Sequence, residues 1–336
     1  MTDHIPSQLS WLQPIPAARL LPDGYDRYDP KAADQRVALA IVLDGLEVVS
    51  VGYRGLVDGL LALGRTDIPL ARLAEGHVDA LRILAQAARE PVPDAWYGVW
   101  ASRSQQTGLR AESGPGGLRV DGTLRFASGA GVLDRALIPV WLPDGRHLLL
   151  DLDVTDLPVD PTVWRTGAMQ ASRTYELTVA DIEVGKESVV GEPDFYLGRP
   201  GFFPGGVGVA ACWAGGAARV LDLMRARHPH PSPVQQLRLG RMRAELVAAV
   251  AAVRSAADVL DRQDPSTDLQ QVATEARAVT AEAIRRMLAE ARLVTGPVGL
   301  ALDDGISHAV PDLELYVLQQ NSDGDAAFLG DPERQP

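Results

Sequence analysis

The chain of 336 residues has one cysteine, two lysines and only 5% aromatic residues, and each scarcity removes a class of explanation. Cys212 alone cannot close an internal disulfide, and its setting VAACWAGG suits a buried structural thiol better than a nucleophile, which needs a polar, accessible environment. A reducing, cytoplasmic compartment is the expectation. With Lys31 and Lys186 the only lysines, a Schiff-base mechanism has just two candidates. Positive charge is also short: 32 basic against 44 acidic side chains leave −12, which disfavours nucleic acid or an anionic membrane surface as the main partner. The expected partner is a small molecule.

Long apolar runs are missing as well. The longest, Val207 to Ala218, stops at Arg219, short of the roughly 20 residues that span a bilayer. The opening MTDHIPSQLSW is polar and then proline-containing, so no secretory signal is expected there. No G-x-G-x-x-G follows a strand, and there is no Walker A loop, H-E-x-x-H or paired C-x-x-C. Nicotinamide, P-loop and structural zinc chemistry lose their usual signatures. His228-Pro229-His230 has no carboxylate cluster nearby and reads as a solvated loop, so no metal site is expected.

What is present folds. Hydrophobic residues are 46% of the chain, mostly aliphatic and alanine, which favours helices, and the length corresponds to about two domains. Residues 31 to 90 carry a helical period with breaks near Gly45–Gly55 and Gly64–Asp67, predicting three helices. Thr66-Asp67-Ile68-Pro69 is a helix start, and the stripe Leu70, Leu73, His77, Leu81, Leu84 follows it, with His77 read as a core histidine. From about 96 the period becomes two. Leu118, Val120, Leu124 and Phe126 flank Asp121-Gly122, a hairpin-type dipeptide, and Leu148 to Val154 and Leu177 to Val184 alternate similarly. An antiparallel β domain over about 95 to 190 is expected, ending at Gly191-Glu192-Pro193. Beyond it, helices near 203–227, through Leu239–Leu260, through Val272–Val294 and near 303–320 predict an antiparallel four-helix bundle.

In this order the residues resemble the acyl-CoA dehydrogenase flavoproteins. VDGTLRFASGAG, residues 120 to 131, resembles the family's N-G-x-K-x-W-I-T-N-G strand pair, with Asp121-Gly122 at the N-G, Phe126 at the Trp and Ser128 at the Thr. TGAMQASRTYELTVADIEVGKESVVG, residues 166 to 191, resembles the G-M-R-A-S…V-x-F-x-D-V-x-V-P…V-x-G stretch, and Gly299 to Gln320 resembles G-Y…P…R-D…Y-x-x-x-E through Asp312 and Tyr316. The resemblance implies an α+β fold: an N-terminal helical domain over 1–94, a barrel-like β domain contacting flavin over 95–192, and a C-terminal four-helix bundle over 193–336. It also implies FAD, an acyl thioester such as an acyl-CoA or a related substrate, and a homodimer or homotetramer. Phe126 and Ser128, two residues apart on a strand and so on one face, would pack on the flavin and place a hydroxyl near it. Trp100 or Ser102 would stand at matching positions of the flavin loop, which reads WYGVWASRSQQTG.

Departures from the pattern concern the chemistry. Dehydrogenation beside a thioester needs a carboxylate to take the α proton. At the two places where the family puts one, this chain has Gln320 and Gly206. The Arg and Phe that reach a neighbouring subunit's FAD become Arg227 followed by His-Pro-His-Pro. Two readings follow: a divergent FAD-dependent oxidoreductase with an atypical or missing base, in which Glu314, Asp323 and Asp325 are the nearby carboxylates, or an inactive relative keeping the fold as a ligand-binding or structural module.

Overall fold

A computed structural model describes residues 21–44, 51–104 and 107–331, so the polar opening segment and most of the first predicted helix break lie outside the described residues. The helices are α1 (Ala32–Leu43), α2 (Tyr53–Thr66), α3 (Ile68–Gln86), α4 (Phe195–Gly198), α5 (Phe202–Arg227), α6 (Pro233–Leu260), α7 (Leu269–Leu302), α8 (Asp304–Val317) and α9 (Ser322–Leu329). The strands are β1 (Tyr97–Val99), β2 (Gly108–Gly114), β3 (Gly117–Ala127), β4 (Arg135–Trp141), β5 (His147–Asp153), β6 (Val159–Asp160), β7 (Tyr175–Val184) and β8 (Val189–Val190). By backbone contacts the chain divides into two units. One takes in Val51–Ala71 and the chain from Phe203 onward; the other takes in the described residues of Pro22–Ser50 and Arg72–Phe202. The N-terminal helices are therefore shared out, α2 to the helical unit and α1 with most of α3 to the unit that holds the sheet.

In the helical unit α5 is long and apolar enough to cross a membrane, with mean hydropathy 1.3 over its best window, yet 78% of that window is buried. It is the core helix of a bundle. Its small-residue run lets α2 approach to backbone contact: a Cβ on Gly64 would stand 2.3 Å from the Cys212 carbonyl oxygen, and one on Gly215 would stand 2.3 Å from that of Leu61. The Cys212 thiol is buried there, facing the Ala71 carbonyl at 3.9 Å. Helix ends follow local signals. Ser232 and Gln235 form a reciprocal capping box at α6, Asp268 caps α7 and Asp303 caps α8. Helix α7 is kinked at Gly296, which takes φ 61° and ψ −171° ahead of Pro297, after which helix resumes to Leu302. Short α9 follows α8, so among the described residues the bundle helices α5–α8 are joined by a fifth C-terminal helix.

In the other unit the strand order is β6-β7-β3-β2-β4-β5-β8, with β1 also on β4. The sheet is mixed rather than antiparallel, because both β1 and β2 run parallel to β4. The reason lies in the connection: the β2–β3 hairpin intervenes between β1 and β4, and the chain re-enters the sheet travelling in the direction of β1. The Trp96 carbonyl pins that re-entry by accepting the N–H groups of Asp134 and Arg135 at 2.9 and 3.0 Å. The hairpin turn is also not where Asp121-Gly122 suggests. It falls at Pro115-Gly116, between the paired Gly114 and Gly117, whereas Asp121 and Gly122 face Arg110 and Leu109 inside β3. Gly122 is needed there for close approach, since at φ 131° an added Cβ would stand 2.5 Å from the Gly108 carbonyl oxygen. One apolar core fills the sheet around Leu109, Val120, Leu124, Ile138 and Leu150; a second packs Ile83 and Leu84 of α3 on Tyr97, Leu137 and Leu149.

Capping by Asp67, whose carboxylate accepts the Leu70 N–H at 2.9 Å, starts α3 as expected. His77 is a satisfied core histidine: its Nδ1 accepts the Tyr97 N–H at 3.1 Å and its ring stands edge-on to Trp96. Burial holds its pKa down at about 4.

Two predictions arise from this packing. Gly64→Ala should destabilise the protein by about 2 kcal/mol through the forced separation of α2 from α5. Gly240→Ala, whose Cβ meets nothing within 4 Å in α6, should stabilise by about 0.5–1 kcal/mol; chemical denaturation giving both variants the same sign would refute the close contact. Second, the unfolded chain protonates His77 below its ordinary 6.5 while the folded chain does not until about 4, so its contribution to stability is full above 6.5 and falls by about 3 kcal/mol on acidification to 4. His77→Gln should lose that part of the pH slope between 6.5 and 4, measured by urea unfolding; an unchanged slope would contradict it.

Candidate functional site

Near its end β3 slips out of register with β7 between Leu124 and Ala127, and at the slip Phe126 adopts φ +61°. A bulky side chain in the left-handed region is strained, so the surrounding ladder imposes it. The consequence is an aromatic ring turned outward. Phe126 is 57% exposed, perpendicular to Trp164 with ring centroids 6.5 Å apart, and the Trp164 indole N–H is fixed by the Ala168 carbonyl at 3.0 Å.

Ser128 does not share that environment, contrary to the strand alternation. It lies past the end of β3, its N–H closes a tight turn onto the Phe126 carbonyl at 3.0 Å, and it is only 6% exposed. Its hydroxyl accepts from Thr174 Oγ1 at 2.9 Å, Thr174 stands 2.7 Å from Ser172 Oγ, and Ser172 donates to the Met169 carbonyl at 2.7 Å. With Thr174 donating to it, the Ser128 proton is available to an acceptor on a ligand. Trp100 is buried and supports the loop from behind: its indole N–H donates to the Ser128 carbonyl at 2.9 Å. Ser102 is half-buried and lines a separate small cleft with Trp100, Arg103, Trp141 and Tyr196, in which the Arg103 guanidinium lies 3.6 Å over Trp141.

Helix α1 braces both sides of this arrangement. Arg36 reaches the Val132 carbonyl at 2.7 Å and both carboxylate oxygens of Asp134, while Gln35 donates to the Ala171 carbonyl. Phe126, Ser128, Trp100, Trp164 and Thr174 thus form one constellation. Trp164 and the Ser172–Thr174 hydroxyls are not foreseeable from the sequence, because they come from the far side of a register slip that no local pattern announces.

Within the helical unit the two expected base positions hold no carboxylate. Gln320, between α8 and α9, is buried and held at both ends of its amide: its Oε1 accepts from Arg285 at 2.7 Å and its Nε2 donates to Asp325 at 2.8 Å. An amide can accept from one and donate to the other, whereas an ionised carboxylate has no proton to donate to Asp325. At Gly206 a Cβ would stand 2.7 Å from Nη1 of Arg277, a flexible side chain whose guanidinium lies 5.7 Å over Trp213. Glu314 is on the surface, paired with Arg292. Asp323 is exposed, and Asp325 is the Gln320 partner. Arg227 is bound to Asp303 at 2.7 Å. His228 Nδ1 contacts the Gln235 amide at 3.2 Å, and among the described residues no three His, Cys, Asp or Glu side chains converge as a metal site would require.

Comparison with known proteins places this geometry. Residues 201–317 match the family model described as acyl-CoA dehydrogenase, C-terminal domain. FMN-bound TdsC from Paenibacillus sp. A11-2 superposes with TM-score 0.75 at 16% identity over 91% of each chain. XiaF from Streptomyces sp., in complex with FADH2 and glycerol, gives 0.70 at 17% identity, covering 93% of this chain and 91% of XiaF. The FAD complex of PigA gives 0.71 at 14% identity, covering 89% of this chain and 90% of PigA. The chain has the fold of these proteins, and its C-terminal helical segment matches the acyl-CoA dehydrogenase model. No curated protein matches it by sequence. The helical, sheet and bundle segments follow in the expected order, and the chain has no carboxylate at either position expected to hold the base.

The amide clamp is directly testable. Gln320→Glu places a carboxylate against Asp325 and removes a donor, so it should cost about 1–3 kcal/mol at neutral pH. Adding Asp325→Asn should recover most of the loss. Denaturation curves showing Gln320→Glu as stable as the parent would contradict the clamp.

Proposed function

We propose that this protein is a flavin-dependent oxidoreductase acting on a small molecule, with the flavin ring seated on Phe126 and Trp164 and the Ser128 hydroxyl donating to its polar edge. The observation that carries the reading is an exposed aromatic ring held at φ +61° beside a buried hydroxyl with a proton to give. A planar ring system covering Phe126 would repay that strain by burying apolar surface. The arrangement fits an isoalloxazine, which needs an apolar wall and hydrogen bonds at its rim. A bound flavin would supply hydride or electron transfer. The protein's own share is to hold the ring, shield it from water and set its polarity through Ser128, Thr174 and Ser172. The flavin-bound structures of TdsC, XiaF and PigA support this reading. FAD is the cofactor the sequence resemblance favours, and titration against FMN decides between them.

On substrate, Gln320 and Gly206 argue against α-proton abstraction from an ordinary acyl-CoA. We favour a reaction on a small molecule, an unusual acyl thioester included, that draws no proton to either position. TdsC is a dibenzothiophene monooxygenase, and a monooxygenation in this chain is compatible with the absence of a base at both places. A cytoplasmic homo-oligomer remains part of the proposal, and sedimentation at micromolar protein tests it.

Purified protein should release flavin on denaturation or take it up in calorimetry. Ser128→Ala should weaken binding by about 1 kcal/mol, and Phe126→Ala should weaken it further. No flavin released and none taken up would end the reading in favour of a non-flavin binding module. Mixed anaerobically with short, medium and long acyl-CoA, the flavin-loaded protein should fail to bleach, because loss of a positioned base slows such a step by about 100- to 10,000-fold. Rapid bleaching would mean that an unassigned carboxylate serves as base.

A further inference from the structure

Arg173 is the least economical residue in the sheet-bearing unit. It takes up the left-handed conformation at φ 46°, where a glycine would be unstrained, and it follows Met169 at φ 55° across a single short 3₁₀ turn. Its side chain is half-buried, its Nε donates to the Ala130 carbonyl at 3.2 Å, and its guanidinium lies 5.8 Å from the Tyr175 ring. Among the described residues no carboxylate pairs with it, in a chain where most other arginines near the sheet do pair: Arg119 with Asp181, Arg125 with Glu176 and Arg135 with Asp151. Beside it Gly131, at φ +77°, leaves space, for an added Cβ there would meet only Nη2, at 3.5 Å. The backbone ties Arg173 to the flavin wall: its carbonyl accepts the Ala130 N–H, and its neighbour Thr174 donates to Ser128.

We propose that Arg173 recognises an oxyanion, a carboxylate or a phosphate, on the ligand that covers Phe126. The inference rests on the flavin reading for the identity of that wall. A half-buried guanidinium with no carboxylate partner among the described residues is suited to planar, two-point binding of such a group, and fixing it through Nε lowers the ordering cost. The anion has two possible sources, the phosphate of the flavin or an acidic substituent of the substrate, and the experiment separates them.

Calorimetry with FAD, FMN and riboflavin, which lacks the phosphate, is run on wild type and Arg173→Gln. A tenfold or greater loss for FAD or FMN with riboflavin unchanged assigns the phosphate. Flavin-loaded protein is then titrated with indole-3-carboxylate and with indole. Loss in Arg173→Gln of a tenfold preference for the carboxylate assigns the substrate. Arg173→Gly, which relieves the strained backbone, should unfold at a higher temperature than wild type while losing the same binding, which separates recognition from folding. Affinities in Arg173→Gln within twofold of wild type for every probe overturn the proposal. Should wild type bind no flavin, the flavin reading fails, and the carboxylate preference of the unloaded protein alone then decides: present and lost in Arg173→Gln supports the proposal, absent overturns it.

Discussion

Between Leu124 and Ala127 the β3–β7 ladder loses register, and the orientation of each group at the candidate site depends on that slip. An unbroken pleat would alternate Phe126 and Ser128 with their neighbours and give both the same environment. The slip separates them. Phe126 is turned out at a left-handed backbone angle, and Ser128 is carried beyond the strand end into a turn, where Trp100 and Thr174 hold it. Strain at Phe126 is tolerated because the hydrogen bonds on either side are over-determined, by the Ser128-to-Phe126 turn before the loop and by Gly129 and Ala130 donating to the carbonyls of Ser172 and Arg173 after it. The loop and the turn it meets are further braced by one helix through Arg36 and Gln35.

A different constraint governs the helical unit. There the two positions at which the family resemblance expects a base are occupied by other groups. Gln320 is an amide that accepts from a cation and donates to an anion, and Gly206 lies beside the Arg277 side chain.

Much of this fold was legible because period and capping are local properties. The three early helices, the switch to period two near residue 96 and the bundle helices follow from apolar spacing, and the start of α3 follows from Asp67, which accepts a free N–H of its first turn. What failed was non-local. Asp121-Gly122 has the composition of a hairpin turn, but the preference for a positive φ is met equally by a strand interior that another backbone approaches closely, as Gly108 approaches Gly122. The parallel pairing of β1 and β2 with β4 depends on how the chain re-enters the sheet, which no alternation records. At the site, the resemblance selected Phe126 and Ser128, yet their opposite exposures, the Trp164 partner and the hydroxyl chain through Thr174 required the register slip itself.

The central claim is that the slip presents a wall for a planar cofactor. A crystal structure of the protein equilibrated with FAD tests it most directly. The isoalloxazine should lie in van der Waals contact with Phe126 and within hydrogen-bond distance of Ser128 Oγ. A flavin bound elsewhere, with Phe126 still open to solvent, would contradict it.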